Sequence, residues 1–173
     1  MTKFDELDRL DTLLTPFSSI GRYGMLITAG GGVAREQWNT MTASWGSFGV
    51  YWQRKTVTAV IRHSRYTFEF VEKEPLVTFS FFAPERKNVL AVCGKISGRD
   101  ADKAKEAGIT PVLLEPGAVG FADAELNVVC KKIYSDDMPP DNFLDSGINK
   151  FYETNDYHRM YICEVLRWYQ EKL

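Results

Sequence analysis

Asn39-Thr40-Met41-Thr42-Ala43-Ser44-Trp45-Gly46 alternates apolar and hydroxyl-bearing side chains across eight residues without a charge. In a β-strand this spacing puts Met41, Ala43 and Trp45 on one face and Thr40, Thr42 and Ser44 on the other. The apolar face suits a core. The hydroxyl face suits water, as in any half-buried strand, or a polar ligand that a charged wall would repel. Periodicity leaves both readings open.

Upstream, residues 24–29 read as a buried strand, and Gly30-Gly31-Gly32 as a flexible turn leading into the opening stretch. Neither GxGxxG nor GxxxxGK[ST] runs through those glycines, which excludes the two familiar phosphate loops. Phe4, Leu7, Leu10, Leu13 and Leu14 recur at helical spacing and predict an amphipathic helix over 3–15, ended near Pro16. Downstream, Val50-Tyr51-Trp52 and 56–61 read as strands. Ser64 is positioned to cap a helix over 65–74 that Pro75 stops. Residues 76–82 form the next expected strand, and Pro84 starts a helix that Gly94 closes. Ser97-Gly98-Arg99-Asp100 reads as a capping box into a helix over 100–107 with Gly108 as its stop. A loop with a short extended piece is expected over 111–120, a strand over 125–134, and a polar surface loop over 135–157. Residues 158–166 are the last expected strand, with Trp168 and Tyr169 in the tail.

These strands do not alternate with helices as βαβα, which argues against a parallel Rossmann sheet. The expected fold is mainly β with peripheral helices, a small antiparallel barrel forming one domain over 1–173. Aromatic residues, at 13%, suit a β-rich core or a site for a planar ligand. A net charge of -2 with no basic block argues against nucleic-acid binding. The first residues lack the apolar run of a secretory signal, and no apolar run is long enough to span a bilayer. Cys93, Cys130 and Cys163 form no CxxC pair and are expected as buried, reduced thiols in a cytoplasmic setting. With two histidines and no carboxylate cluster beside them, no metal site is expected. No GxSxG elbow occurs, and no cysteine has an obvious base partner.

Arg62 and Arg65 flank Ser64 where the helix over 65–74 should begin. Two cations there oppose the helix dipole, and an anion on the free N–H groups would turn that penalty into a site. Arginine grips phosphate through a fork of donors, and Ser64 and Thr67 can add hydroxyls. The alternative is that both arginines pair with surface acids such as Glu69 or Glu72. Ser97-Gly98 is a second, weaker anion candidate. By residue type alone, Lys103 reads as a solvated side chain and His158 as a structural histidine.

In chain order, four pieces carry a resemblance: Asn39 to Gly46, Arg62-His63-Ser64-Arg65-Tyr66-Thr67, Cys93-Gly94 with Ser97-Gly98-Arg99-Asp100-x-Asp102-Lys103, and Asp156-Tyr157-His158-Arg159-Met160-Tyr161. Together they resemble the flavin reductase-like family of FMN-binding split barrels, in particular its flavoredoxin-type branch. The resemblance implies an antiparallel split β-barrel of Greek-key type and a homodimer with FMN near the subunit interface. It implies that Asn39, Thr40, Met41, Thr42, Ala43, Ser44 and Trp45 line the isoalloxazine and ribityl chain. Arg62, Ser64, Arg65 and Thr67 would hold the phosphate, Lys103 and His158 would approach the ring, and Trp168 or Tyr169 would cover it. The implied activity is hydride transfer from NADH or NADPH to FMN, which requires no side-chain acid or base, so no catalytic residue is named. The other readings are an FMN-bearing electron carrier reduced by a partner protein, and a flavin- or ligand-binding module without catalysis. The chain departs from the family at His63, where relatives often have proline, and at Gln53-Arg54-Lys55, which replaces a Lys-Pro turn.

Overall fold

A computed structural model of the chain describes residues 17–170, so the helix expected over 3–15 lies outside the described residues. After a π-helical turn over Phe17–Tyr23, strand β1 (Met25–Gly30) is buried along its whole length. It pairs antiparallel with β2 (Trp38–Ala43), with Met25 opposite Ala43 and Gly30 opposite Trp38. Burial on both faces explains why β1 reads as a continuous apolar run. Met25 and Ile27 face one core cluster, with Met41, Val57, Ile61, Phe79 and Tyr161. Leu26 faces a second cluster, with Trp38, Val89, Leu90 and Phe121.

The remaining long strands are β3 (Gly46–Tyr51), β4 (Arg54–Arg62), β5 (Leu76–Phe81), β8 (Leu126–Asp137) and β9 (His158–Gln170). They join one seven-stranded antiparallel sheet in the order β2-β1-β5-β8-β9-β4-β3. Strands β2 and β3 therefore stand at opposite ends of the order, yet only Ser44 and Trp45 separate them in the chain. That link spans at most about 11 Å from Ala43 to Gly46. The sheet must curl until β2 comes against β4, and it does so without the two edges pairing. The result is an antiparallel split barrel, the fold class expected from the sequence.

Helix α1 (Tyr66–Lys73) packs on β1 and β2, α2 (Lys87–Lys95) covers the outer side of β2, and α3 (Lys103–Ala107) packs on α2 and reaches β2 through Lys103. Asn127 locks the chain at Phe121 to the sheet. Its Oδ1 accepts from the Phe121 amide and the Ser80 hydroxyl, and its Nδ2 donates to the Phe121 carbonyl. Cys93, Cys130 and Cys163 are free and buried. Among the described residues, no helix is long and apolar enough to cross a membrane.

Several boundaries differ from the sequence expectation. Trp52 is not in a strand: β3 stops at Tyr51, and Trp52 and Gln53 make the hairpin tip with φ of 49° and 61°. Ser64 does not cap α1, because its hydroxyl donates to Asp156 Oδ2 at 2.5 Å. Pro84 opens a single 3-10 turn before α2, and Gly94 lies inside the last turn of α2 without ending it. The capping box at Ser97 does not form. Ser97 Oγ accepts from the Arg99 amide, and Asp102 caps the shorter α3 by accepting from Ala104 and Lys105. The expected loop over 111–120 is a hairpin of β6 (Pro111–Glu115) and β7 (Ala118–Phe121), turned at Gly117 with φ of 80°. Strand β8 runs to Asp137, so the loop spans 138–157 and carries two 3-10 turns, and β9 takes in Trp168 and Tyr169.

The tip of the β3–β4 hairpin has two non-glycine residues in the left-handed region, where each side chain costs about 1 kcal/mol. Gln53→Gly should raise stability by roughly 0.5 kcal/mol, with the greater freedom of unfolded glycine offsetting part of the gain. Urea unfolding of the two proteins measures it.

Candidate functional site

The Ser44-Trp45 link gathers the end of β2, the end of β4 and the start of β9 into one corner. With Arg65 at the start of α1 and Gly94 in α2, they enclose a cavity of about 310 Å³. That volume is in the range of small-molecule sites. Met41, Ala43 and Val60 give it apolar walls, Thr42 and Ser44 add hydroxyls, and Trp45 and His158 add rings. Arg62 and Arg65 line the same space. Gly94 lets α2 close on the strand, since a Cβ there would stand 3.2 Å from Thr42 Cβ.

Eight of the residues singled out from the sequence thus share one cavity: Met41, Thr42, Ala43, Ser44, Trp45, Arg62, Arg65 and His158. The other five lie outside its walls. Asn39 and Thr67 are buried and bond each other, Nδ2 donating to Oγ1 at 2.7 Å. The Thr40 hydroxyl donates to the Ile27 carbonyl at 3.1 Å and meets the Thr28 hydroxyl at 2.8 Å. Lys103 is buried, and its ammonium donates to the carbonyls of Thr40 at 2.7 Å and Cys93 at 3.0 Å. Ser64 is held by Asp156. The hydroxyl face of β2 is therefore used largely within the protein: even Thr42, at the cavity, donates to the Leu90 carbonyl at 2.5 Å. Trp45 has left the strand and is partly exposed.

Sequence reasoning gave no site role to Val60, Phe151 or Tyr152, and read Gly94 as a helix stop and a motif residue, not as part of a cavity wall. Val60 looks like any β-branched strand residue, and the loop residues carry no local signal. The Trp45 ring lies 5.3 Å from Phe151 and 5.0 Å from His158, so the 138–157 loop and β9 close one side of the corner.

The electrostatics follow from burial. Arg65 sits below the ordinary arginine pKa because it is desolvated and because Arg62 lies beside it. It donates to the Gly94 carbonyl at 3.1 Å. Arg62 donates to the carbonyls of Phe151 at 2.7 Å and Asp156 at 3.1 Å and lies over the Tyr152 ring. Glu69 and Glu72 are engaged elsewhere, by Arg99 and Arg159, but the expectation of an acidic partner holds for Arg62, which lies 3.9 Å from Asp156. Burial lowers Lys103 to about 8, with Cys93 opposing the shift and Arg65 adding to it. Burial, reinforced by Arg62, lowers His158 to about 4. Its Nδ1 is 2.8 Å from the Tyr152 hydroxyl. The ring is therefore neutral at pH 7. A neutral ring, an apolar floor and two guanidiniums are groups that suit a flat ligand with an anionic end.

The flavin reductase like domain matches residues 17–172. The chain belongs to the flavin reductase-like family. Among solved structures it is similar to a flavoredoxin from Methanosarcina acetivorans, at 16% identity over 99% of this chain and 77% of that one, with a TM-score of 0.65. An FMN-binding protein from Thermus thermophilus, solved with p-hydroxybenzaldehyde, aligns at 17% identity over 86% of this chain and 71% of that one, TM-score 0.65. An NADH:FAD oxidoreductase from Streptomyces globisporus, in complex with NAD and FAD fragments, aligns at 16% identity over 97% and 87%, TM-score 0.63. At these identities the likeness is one of fold. No curated protein matches the sequence.

For this flavin reductase-like protein the neutral His158 has a measurable consequence. Between pH 6.5 and about 4 the unfolded chain binds a proton that the folded ring refuses. The corresponding stability is fully present above pH 6.5 and is lost as pH falls through that window. His158→Gln should remove this part of the acid sensitivity, on the order of 2 kcal/mol between pH 7 and pH 4.5. Urea unfolding at the two pH values tests it, and equal losses in both proteins would refute it.

Proposed function

We propose that the cavity binds FMN and that the protein is an NAD(P)H-dependent flavin reductase. The observation that carries this reading is the combination, in one cavity, of Met41, Ala43, Val60 and Trp45 with the guanidiniums of Arg62 and Arg65. These residues fit the group. The apolar walls and the Trp45 ring suit the isoalloxazine, Ser44 suits the ribityl hydroxyls, and the arginines suit the phosphate. FMN held by these residues would supply the redox chemistry, as a hydride acceptor for NADH or NADPH.

The protein's own part is to bind and orient. Arg65, anchored on Gly94, and Arg62, anchored on the 138–157 loop, are held in place before a ligand arrives, which limits the ordering cost of binding. His158, neutral and fixed by Tyr152, can share a hydrogen bond with a ligand without adding charge. Asn39, Thr40, Thr67 and Lys103 support the wall from behind and do not touch the ligand in this reading.

The purified protein should show flavin absorption bands, after added FMN if not before, that bleach anaerobically with NADH or NADPH. Bands that persist with both donors would replace the reductase by an electron carrier that a partner protein reduces. No FMN uptake would leave a binding module for some other ligand. Arg65→Ala should weaken FMN binding about tenfold, the low end of what loss of a hydrogen bond to a charged group costs. Unchanged affinity would remove Arg65 from the phosphate end.

The same reading includes a homodimer. Its support is the edge strand β3, exposed along its length, with Phe48 and Val50 on it and Trp52 at its hairpin tip all exposed. Large apolar side chains left in water along an edge strand suit a face that a second copy of the chain covers. Sedimentation should give a dimer, and Val50→Glu should weaken it by about tenfold or more.

A further inference from the structure

Asp156 lies at the end of the 138–157 loop, two residues before β9. Its carboxylate accepts from the Ser64 amide at 3.3 Å and the Ser64 hydroxyl at 2.5 Å, and it lies 3.9 Å from Arg62 Nη1. Arg62 donates in turn to the Asp156 and Phe151 carbonyls and rests on Tyr152. An amide and a hydroxyl from the turn between β4 and α1, with the guanidinium that ends β4, are donors that a ligand's oxyanion would use. One of the chain's own carboxylates holds them.

The charge balance points the same way. Two arginines line the cavity, His158 is neutral, and Asp156 offsets one arginine. A phosphate dianion drawn to Arg62 and Arg65 therefore also meets a like charge, and must displace it from Ser64 or stop short of those donors. Asp156 is not one of the cavity's walls, so a planar ring among Met41, Val60 and Trp45 does not meet it. The geometry points to Asp156 as the specificity-determining residue for the ligand's anionic end. On the flavin reading above, it holds down the preference for FMN over riboflavin by competing with the phosphate for Ser64 and Arg62. Discrimination here comes from a repulsive element and not from an added contact.

The test is a titration of wild-type protein and Asp156→Asn with FMN and with riboflavin, followed by fluorescence. Asparagine keeps an acceptor for the Ser64 amide and removes the charge. Asp156→Asn should bind FMN about fivefold tighter or more, the size of one partly screened charge contact, and riboflavin within about twofold of wild type. Wild-type protein should bind riboflavin within about tenfold of FMN, a comparison that needs no variant to fold. The proposal is overturned if FMN affinity is unchanged in the variant, if both flavins shift together, or if wild type prefers FMN by a hundredfold. Riboflavin binding in those cases leaves the flavin reading standing. Absence of both flavins from both proteins would end the flavin reading and this proposal together.

Discussion

A link of two residues, Ser44 and Trp45, governs this molecule. Ala43 is fixed opposite Met25 at one edge of the sheet, and Gly46 opposite Ala59 at the other. Joining them through so short a span forces the curl of a seven-stranded sheet and sets where its edges approach. Gly46 is part of the same constraint, since a Cβ there would stand 2.4 Å from the Thr58 carbonyl oxygen. Any other residue would push β3 away from β4 at the point where the barrel turns. The cavity follows from this closure, because the ends of β2 and β4 and the start of β9 have nowhere else to go.

The curl leaves β2 as an edge strand whose outer side must be covered, and polar side chains do much of that work. Lys103 takes the Thr40 carbonyl on that side and ties it to α2 through Cys93. Thr42 reaches the Leu90 carbonyl, and Asn39 reaches Thr67 in α1. Each is a buried or half-buried polar group with a partner, and removing any one would leave its mate unsatisfied at about 1–3 kcal/mol. The uncharged, hydroxyl-rich composition of this strand therefore serves its packing first. The ligand-facing surface is what remains at the strand's end, at Met41, Ala43, Ser44 and Trp45.

Much of this could be read from residue pattern. Continuous or alternating apolar runs located β1, β2, β4, β5, β8 and β9, and the absence of βαβ alternation gave the antiparallel class. Elements were misread where tertiary contacts override local chemistry. Trp52 and Gln53 hold a tight hairpin without the Asn or Gly that announces one. Ser64 has the chemistry of a cap, but Asp156 claims it from 92 residues away. Lys103 has the composition of a solvated helix residue, but α3 begins there and lays it against an edge strand. The 111–120 hairpin did carry a signal, Pro116-Gly117, in strands too short for alternation to stand out. For the site, the arginines were legible because two cations at a helix start oppose its dipole. Their partners were not, because backbone carbonyls leave no trace in residue type.

The two arginines also show why the ends of the site can vary separately. Arg65 is fixed by α2, through the Gly94 carbonyl, and so moves with the wall that Thr42 and Lys103 hold. Arg62 belongs to β4 but is fixed by the 138–157 loop, through Phe151, Tyr152 and Asp156. A change in the loop therefore repositions one guanidinium and its carboxylate and leaves the other in place. The apolar walls at Met41, Ala43 and Val60 come from strands with partners along their length, so they do not share in that change. On the proposed function, a planar ring would be recognised by the barrel, whereas an anionic end would be recognised by the barrel and a loop together. Sequence change in the loop can retune charge at the site without disturbing the closure that creates it.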